Sequence, residues 1–373
     1  MKTVFLLGFL PNPRIKKRIE LAKRSSEVYL VCWDRGRDMM IPPNEQEIAC
    51  HIIHISAGND PILRMIPFLR FRKNVLKLLR QIRPDIIHVQ GMDMLQIACE
   101  YKRNRKSIHV IYEVADLHRL LVDKQKGIIR KTIQSYLKHK DKSLAKRIDL
   151  LIVTSQEYYN SYFSSFVPEK KMMFFPNVPD LTAFVTYKKK MTTKSFTVGY
   201  FGVIRYKEEL KLLIESLRET NVNLIIAGYE ENGDEIETLC RDRNDIEWIG
   251  RFDFNSSAAE LYSRCDCIFA VYDAKMKNCQ VALPNKLYEA VFCELPILVA
   301  DETYVGDIVR LWNVGIPVKH DSKAAIEDAL LELKDKNKYS EYVSGCISHK
   351  EEIDLEKYND LLCERINGFL STL

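Results

Sequence analysis

The chain reads as an α/β protein of two domains, each a parallel sheet covered on both faces by helices. Three observations carry that reading. Short apolar runs of strand length alternate with longer amphipathic stretches. The alternation is interrupted by one lysine-rich linker and then starts afresh. The 373 residues suffice for two domains with separate cores, and 46% hydrophobic beside 29% charged content is that of a globular protein.

The elements follow in order. The first strand falls within Thr3–Leu10. This run is too short to span a bilayer and meets Pro11-Asn12-Pro13 with no small-residue cleavage site, so it reads as core. A helix over Ile15–Ala22 leads to a strand at Val28–Trp33. Further strands are expected at Ile52–Ile55, Ile86–Val89, Ile108–Tyr112 and Leu150–Val153. This completes a Rossmann-like domain over residues 1–187. The polar stretch Tyr187–Lys194 is the linker, and Thr197–Gly202 opens a second such domain over 188–350. It continues as helix Leu210–Leu217, strands Asn223–Ala227 and Ile246–Ile249, helix Ala258–Arg264 and strand Cys267–Val271. The amphipathic segment Leu355–Leu370, within 351–373, is expected to cross back onto the first domain. Two such domains facing each other put their strand ends on opposite walls of a cleft, where open α/β sheets bind ligands.

Composition narrows the partners. Residues 1–190 carry 35 Lys and Arg against 18 Asp and Glu, while the remainder carries 21 against 33. The basic half suits an anionic surface or ligand. In Leu63–Arg80, six basic residues are interleaved with Ile66, Phe68, Leu69, Phe71, Val75 and Leu78; Lys124–Arg147 is a second basic stretch. Both suit the interface of an anionic bilayer. No aromatic-rich RNA motif accompanies them, so nucleic acid is not expected. Ten cysteines fall at irregular spacings with no paired C-x-x-C clusters, which points to a reducing cytoplasm rather than to zinc or disulfides.

The most informative stretch is Leu283–Ala300, read as loop, helix start, short helix and buried strand. Asn285 is the expected N-cap, leaving helical N–H groups and the positive helix end to face a phosphate, with Lys286 adding a cation. Glu289 shares that face, and Leu287, Ala290 and Val291 form the buried stripe. A carboxylate one turn inside such a helix suits a ribose diol, so a nucleoside diphosphate is the expected ligand. No G-x-G-x-x-G follows either first strand, which argues against a dehydrogenase.

Over nearly its whole length the chain resembles the glycosyltransferases of the B-type fold, and within them the family 4 type of bacterial capsule, exopolysaccharide and O-antigen assembly. The motifs that carry the resemblance are Pro13-Arg14, Arg83-Pro84-Asp85-Ile86-Ile87-His88, Tyr112–His118, Phe175-Pro176-Asn177-Val178, Phe201-Gly202, Ala227-Gly228, Ile249-Gly250 and Pro284-Asn285-Lys286 with Glu289. The chain departs from the family pattern in three respects. Val281 stands where a glutamate is usual, Ala115 where many relatives have histidine, and Arg205 and Lys207 are shifted from the usual basic positions.

The resemblance implies that a nucleotide sugar, UDP- or GDP-linked, binds the second domain, with Gly202, Arg205, Lys207, Pro284, Asn285, Lys286 and Glu289 as donor-site residues. It implies retention of anomeric configuration and an acceptor, a glycan or a lipid-linked pyrophosphate, at the first domain, where Arg14, His88 and Glu113 are the binding residues. Asp116 and His118 are the candidates to accept or orient the acceptor proton, and Arg205 and Lys207 to stabilise the departing diphosphate, with no metal or cofactor expected. The expected setting is the cytoplasmic face of the membrane. The rival readings are a sugar-nucleotide epimerase, which needs no acceptor, and a non-catalytic binding protein.

Overall fold

Among the described residues, seven parallel strands form the first sheet: β1 (Lys2–Leu7), β2 (Glu27–Asp34), β3 (Ala49–His54), β4 (Ile86–Gln90), β5 (His109–Val114), β6 (Leu150–Val153) and β7 (Met172–Phe174). Their order, β3-β2-β1-β4-β5-β6-β7, reverses between β1 and β4, the switch point of an open doubly wound sheet. Among the same residues the second sheet has six parallel strands: β8 (Thr197–Ile204), β9 (Asn223–Glu230), β10 (Ile246–Gly250), β11 (Cys267–Ala270), β12 (Ile297–Ala300) and β13 (Gly315–Val318). Its order is β10-β9-β8-β11-β12-β13, reversing between β8 and β11. The protein is seen here as a computed structural model that describes residues 1–36, 48–58, 63–123, 125–179, 181–189 and 195–370.

The chain divides into two units, Met1–Pro176 with Glu356–Leu373, and Asn177–Leu355. The division falls ahead of the lysine-rich linker. Residues 177–179 and 181–187 already pack on the second unit, where Phe184 meets Tyr262 and Phe292, and the Tyr187 hydroxyl donates to the Cys293 carbonyl at 2.7 Å. Linker residues Lys190–Lys194 lie outside the described residues.

Central strands are apolar on both faces, as parallel strands sandwiched between helices must be. Val4, Leu6 and Leu7 of β1, and Ile297, Leu298 and Val299 of β12, are fully buried. The strands the sequence reading missed, β7 and β13, are both edge strands. Pro317 lacks a ladder donor, which only an edge tolerates, and three residues of β7 are too few to show a period.

Helix Leu355–Leu370 docks on the first unit. Tyr358 packs against Phe174 and Phe175, Phe369 stacks on His109 at 4.6 Å, and Arg365 donates to the Lys170 carbonyl at 3.1 Å.

Helix Asn285–Phe292 is short because its end is built to stop. Glu294 adopts a left-handed φ of 52°; its N–H donates to the Val291 carbonyl, and that of Leu295 to Ala290 at 3.0 Å. This paired closure satisfies the last carbonyls, and Pro296 then forbids continuation.

Candidate functional site

In the second unit, helix Asn285–Phe292 follows β11 and precedes β12, so its N-terminus lies at the C-terminal edge of the sheet, beside the switch point. One sequence expectation is corrected. Pro284, in extended conformation, occupies the N-cap position, and Asn285 is the first helical residue, with no capping bond from its side chain. Pro284 keeps an extended ψ of 150° while its carbonyl already accepts from the Leu287 N–H at 3.1 Å, so helical backbone begins at Asn285. The Asn285 side-chain oxygen instead accepts from Asn177 at 2.5 Å, tying the helix start to the segment entering the unit.

The expected apolar stripe is present: Leu287, Ala290 and Val291 are fully buried. Glu289 is 2% exposed, and its Oε2 accepts from both the Tyr262 hydroxyl and the Lys286 ammonium. Burial, and then the Glu289 carboxylate, push the Tyr262 phenol well above its ordinary value, so Tyr262 stays a donor. The Lys286 ammonium lies 5.6 Å from the Phe254 ring and 5.8 Å from that of Tyr262. The result is a buried carboxylate that accepts from one phenol and pairs with one ammonium.

Gly202 pairs with Gly228 across β8 and β9. A Cβ on Gly228 would fall 1.9 Å from the Gly202 carbonyl oxygen, so the two strands approach there as only glycine permits. The two basic residues after β8 behave differently. Arg205 has a 65% exposed side chain and a loose 3.6 Å pair with Glu231. Lys207 opens helix Lys207–Thr220 and is tied down: it pairs with Glu230 and, at 3.6 Å, with Glu235, and donates to the Asn232 carbonyl at 3.2 Å. Hydrogen bonding to Glu230 accordingly raises its pKa. Val281, where a glutamate is usual in the resembled family, is a buried apolar residue at the end of helix Lys277–Val281.

In the first unit, Arg14, His88 and Glu113 come together. Glu113 lies in β5 rather than in the loop beyond it, and is 1% exposed. Its carboxylate meets Arg14 Nε at 3.2 Å, Arg18 Nε at 3.4 Å and His88 Nε2 at 2.8 Å. Burial alone would raise its pKa, but Arg18, His88 and Arg14 outweigh that and hold it at about 2. Arg18 lies 3.3 Å from the centre of the Phe175 ring, and His88 stacks on Phe5 at 4.9 Å. His88 and Glu113 thus face their own cluster, while Arg14, with a 15% exposed side chain, reaches the surface. Asp116 and His118 are exposed in the loop after β5. The His118 Nδ1 accepts from the Leu120 N–H at 3.2 Å, fixing the turn into helix Arg119–Val122.

Both basic segments form helices, Met65–Ile82 and Ile128–Ala145, whose C-terminal halves pack inward. Their starts expose apolar side chains: Ile66 is 62% exposed, Ile128 84% and Ile129 77%. Among the described residues no helix is long and apolar enough to cross a membrane.

Two family profiles match in succession: "Glycosyltransferase Family 4" over residues 19–182 and "Glycosyl transferases group 1" over 186–345. Together they take in most of the chain. It belongs to the glycosyltransferases. No curated protein matches the sequence closely enough to serve as a relative. Among solved structures, this glycosyltransferase is similar to sucrose-phosphate synthase from Thermosynechococcus elongatus, with TM-score 0.76 and 12% identity, covering 100% of both chains. It is also similar to Anabaena HepE in complex with UDP-glucose, with TM-score 0.71 and 15% identity over 99% of this chain and 100% of that one. The lipopolysaccharide outer core galactosyltransferase WaaB gives TM-score 0.67 and 14% identity over 100% of both. At such identities the likeness carries the two-domain B-type fold.

Sequence reasoning missed two residues that organise the glycosyltransferase's clusters. Arg18 is the fourth residue after Arg14 and so on its helix face, a signal that was legible. Tyr262 is distant from Glu289 in sequence, and nothing in its spacing announces the contact.

Proposed function

We propose that this glycosyltransferase moves a sugar, with retention of anomeric configuration, from a UDP- or GDP-linked donor to a glycan or lipid-linked pyrophosphate acceptor in surface polysaccharide synthesis. One observation carries the donor half of this reading: Glu289, buried one turn inside a helix that starts at the sheet's switch point, receives both its bonds on Oε2. Its Oε1 then accepts the ribose diol, while Lys286 swings from the carboxylate to the diphosphate at the helix N-terminus. Exposed Arg205 supplies a second cation, with Lys207 behind it, so charge building on the departing diphosphate is stabilised without a metal. HepE, a structural neighbour, is seen with UDP-glucose, and WaaB is a lipopolysaccharide galactosyltransferase; both favour this donor and setting.

On the acceptor side, Asp116 and His118 stand exposed after β5 and serve to accept or orient the hydroxyl proton, and Arg14 contacts the acceptor. Helices Met65–Ile82 and Ile128–Ala145 both begin at the C-terminal edge of the first sheet, where Ile66, Ile128 and Ile129 stand among Arg70, Lys73, Arg130 and Lys131. That combination suits an anionic cytoplasmic leaflet, each cation contributing about 1 kcal/mol.

A thermal-shift screen of nucleoside diphosphates against wild type and Glu289→Ala tests the donor site. Stabilisation of wild type by UDP or GDP, absent in the variant, is expected; indifference of both proteins to every nucleotide contradicts the reading. Release of epimerised donor without acceptor would point to the rival enzyme instead. Vesicles containing phosphatidylserine should sediment wild type but not Ile128→Glu/Ile129→Glu; equal sedimentation of both removes the membrane role.

A further inference from the structure

We infer that the second unit carries a binding site for a first-row divalent cation, formed by Glu209, Asp273 and His320. The three residues come from separate segments. Glu209 is in the first turn of helix Lys207–Thr220, Asp273 follows β11, and His320 follows β13. His320 Nδ1 lies 3.1 Å from Glu209 Oε1 and 3.9 Å from Asp273 Oδ1, and the three ligand atoms all fall within 4.8 Å of one another. A cation among them with bonds of about 2.0–2.2 Å needs only a slight closure of the triangle.

Burial and charge make the same point. Glu209 is 6% exposed and His320 9%, while the Asp273 side chain is 33% exposed, so two carboxylates share a single imidazole at the edge of the buried interior. Lys275, which feels both carboxylates, is hydrogen-bonded to Asp321 at 3.1 Å. A divalent cation would balance the charge that the imidazole leaves. The Asp273 carboxylate is also oriented in advance, since its Oδ1 accepts from the Lys275 N–H at 2.9 Å, the kind of outer contact that fixes a metal ligand. One imidazole nitrogen with two carboxylate oxygens suits zinc or manganese rather than calcium. None of the three residues belongs to the proposed donor site, so the cation acts as a clamp joining the helix after β8 to the ends of β11 and β13.

The test is isothermal titration of the EDTA-treated full chain with Zn2+ and, separately, Mn2+, repeated on His320→Ala and Asp273→Asn, with folding checked by circular dichroism. One ion per wild-type chain is expected, with at least tenfold weaker binding in each folded variant and a metal-dependent rise in melting temperature confined to wild type. Asp273 is partly exposed, so Asp273→Asn decides the matter if His320→Ala does not fold. Failure of wild type to bind either ion, or equal binding by the variants, overturns the site.

Discussion

Replacing Glu113 by glutamine should destabilise the first unit by about 3 kcal/mol at neutral pH. The carboxylate titrates at about 2 in the folded protein against an ordinary value of 4.5. At about 1.4 kcal/mol per pKa unit, that depression corresponds to roughly 3 kcal/mol of folding stability. A second route gives the same size: removing one partner of a buried ion cluster typically costs about 3–5 kcal/mol, because Arg18, itself 3% exposed, loses its counter-charge. The sign follows from the direction of the shift. A carboxylate with a lowered folded pKa contributes fully above its unfolded value, and the contribution disappears as pH falls from about 4.5 to about 2. Urea unfolding followed by Trp33 fluorescence is the assay, in a background where Trp248 and Trp312 of the second unit are phenylalanine. Trp33 is 2% exposed and stacks on Phe71 at 4.9 Å, so it reports on the first unit. A loss under about 1 kcal/mol, or parallel pH profiles for the two proteins, would refute the reasoning.

Other consequences are independent of that cluster. Burial raises the Asp141 carboxyl to about 6, the Tyr162 hydroxyl beside it pulling the other way. Stability therefore falls as pH rises from the ordinary value of 3.8 to about 6 and is level above that, so Asp141→Asn should stabilise the first unit by roughly 1–3 kcal/mol at pH 7.5 and confer no gain near pH 3.5, measured by the same unfolding assay. Gly228→Ala should lower the second unit's stability by about 2–4 kcal/mol in Trp248 fluorescence, because its methyl group meets the Gly202 carbonyl at 1.9 Å. Tyr262→Phe, which keeps the ring and removes the donor to Glu289, should weaken nucleoside diphosphate binding about tenfold in calorimetric titration. Arg24→Ala should change stability by less than about 1 kcal/mol, since Arg24 and Glu356 are both more than half exposed.

Much of the fold was legible because parallel sheets announce themselves. Runs such as Leu150–Val153 and Ile297–Ala300 are apolar throughout, and turn residues or helices bound them. Edge strands β7 and β13 escaped because an edge needs neither a long run nor freedom from proline. At the candidate site, local pattern revealed Lys286 and Glu289 on one helix face and their apolar counterparts behind. It misassigned the cap, since Pro284 and Asn285 differ by one position and helix entry depends on which residue first adopts helical backbone angles. Pairings across the unit, Tyr262 with Glu289 or His320 with Glu209, are set by tertiary contact and leave no periodic trace. The exposed starts of helices Met65–Ile82 and Ile128–Ala145 were only half legible. Amphipathic spacing marks a buried face, but it does not say that Ile128 and Ile129 lie beyond the packed part.

The central claim is that the amino end of helix Asn285–Phe292 grips the donor's diphosphate and pentose. A crystal of the protein soaked with a nucleoside diphosphate tests it most directly. The account predicts the diphosphate at the Asn285–Lys286 N–H groups, the ribose diol on Glu289, and Lys286 turned from that carboxylate to the phosphate. A nucleotide bound elsewhere, with the Lys286–Glu289 pair intact, would contradict it.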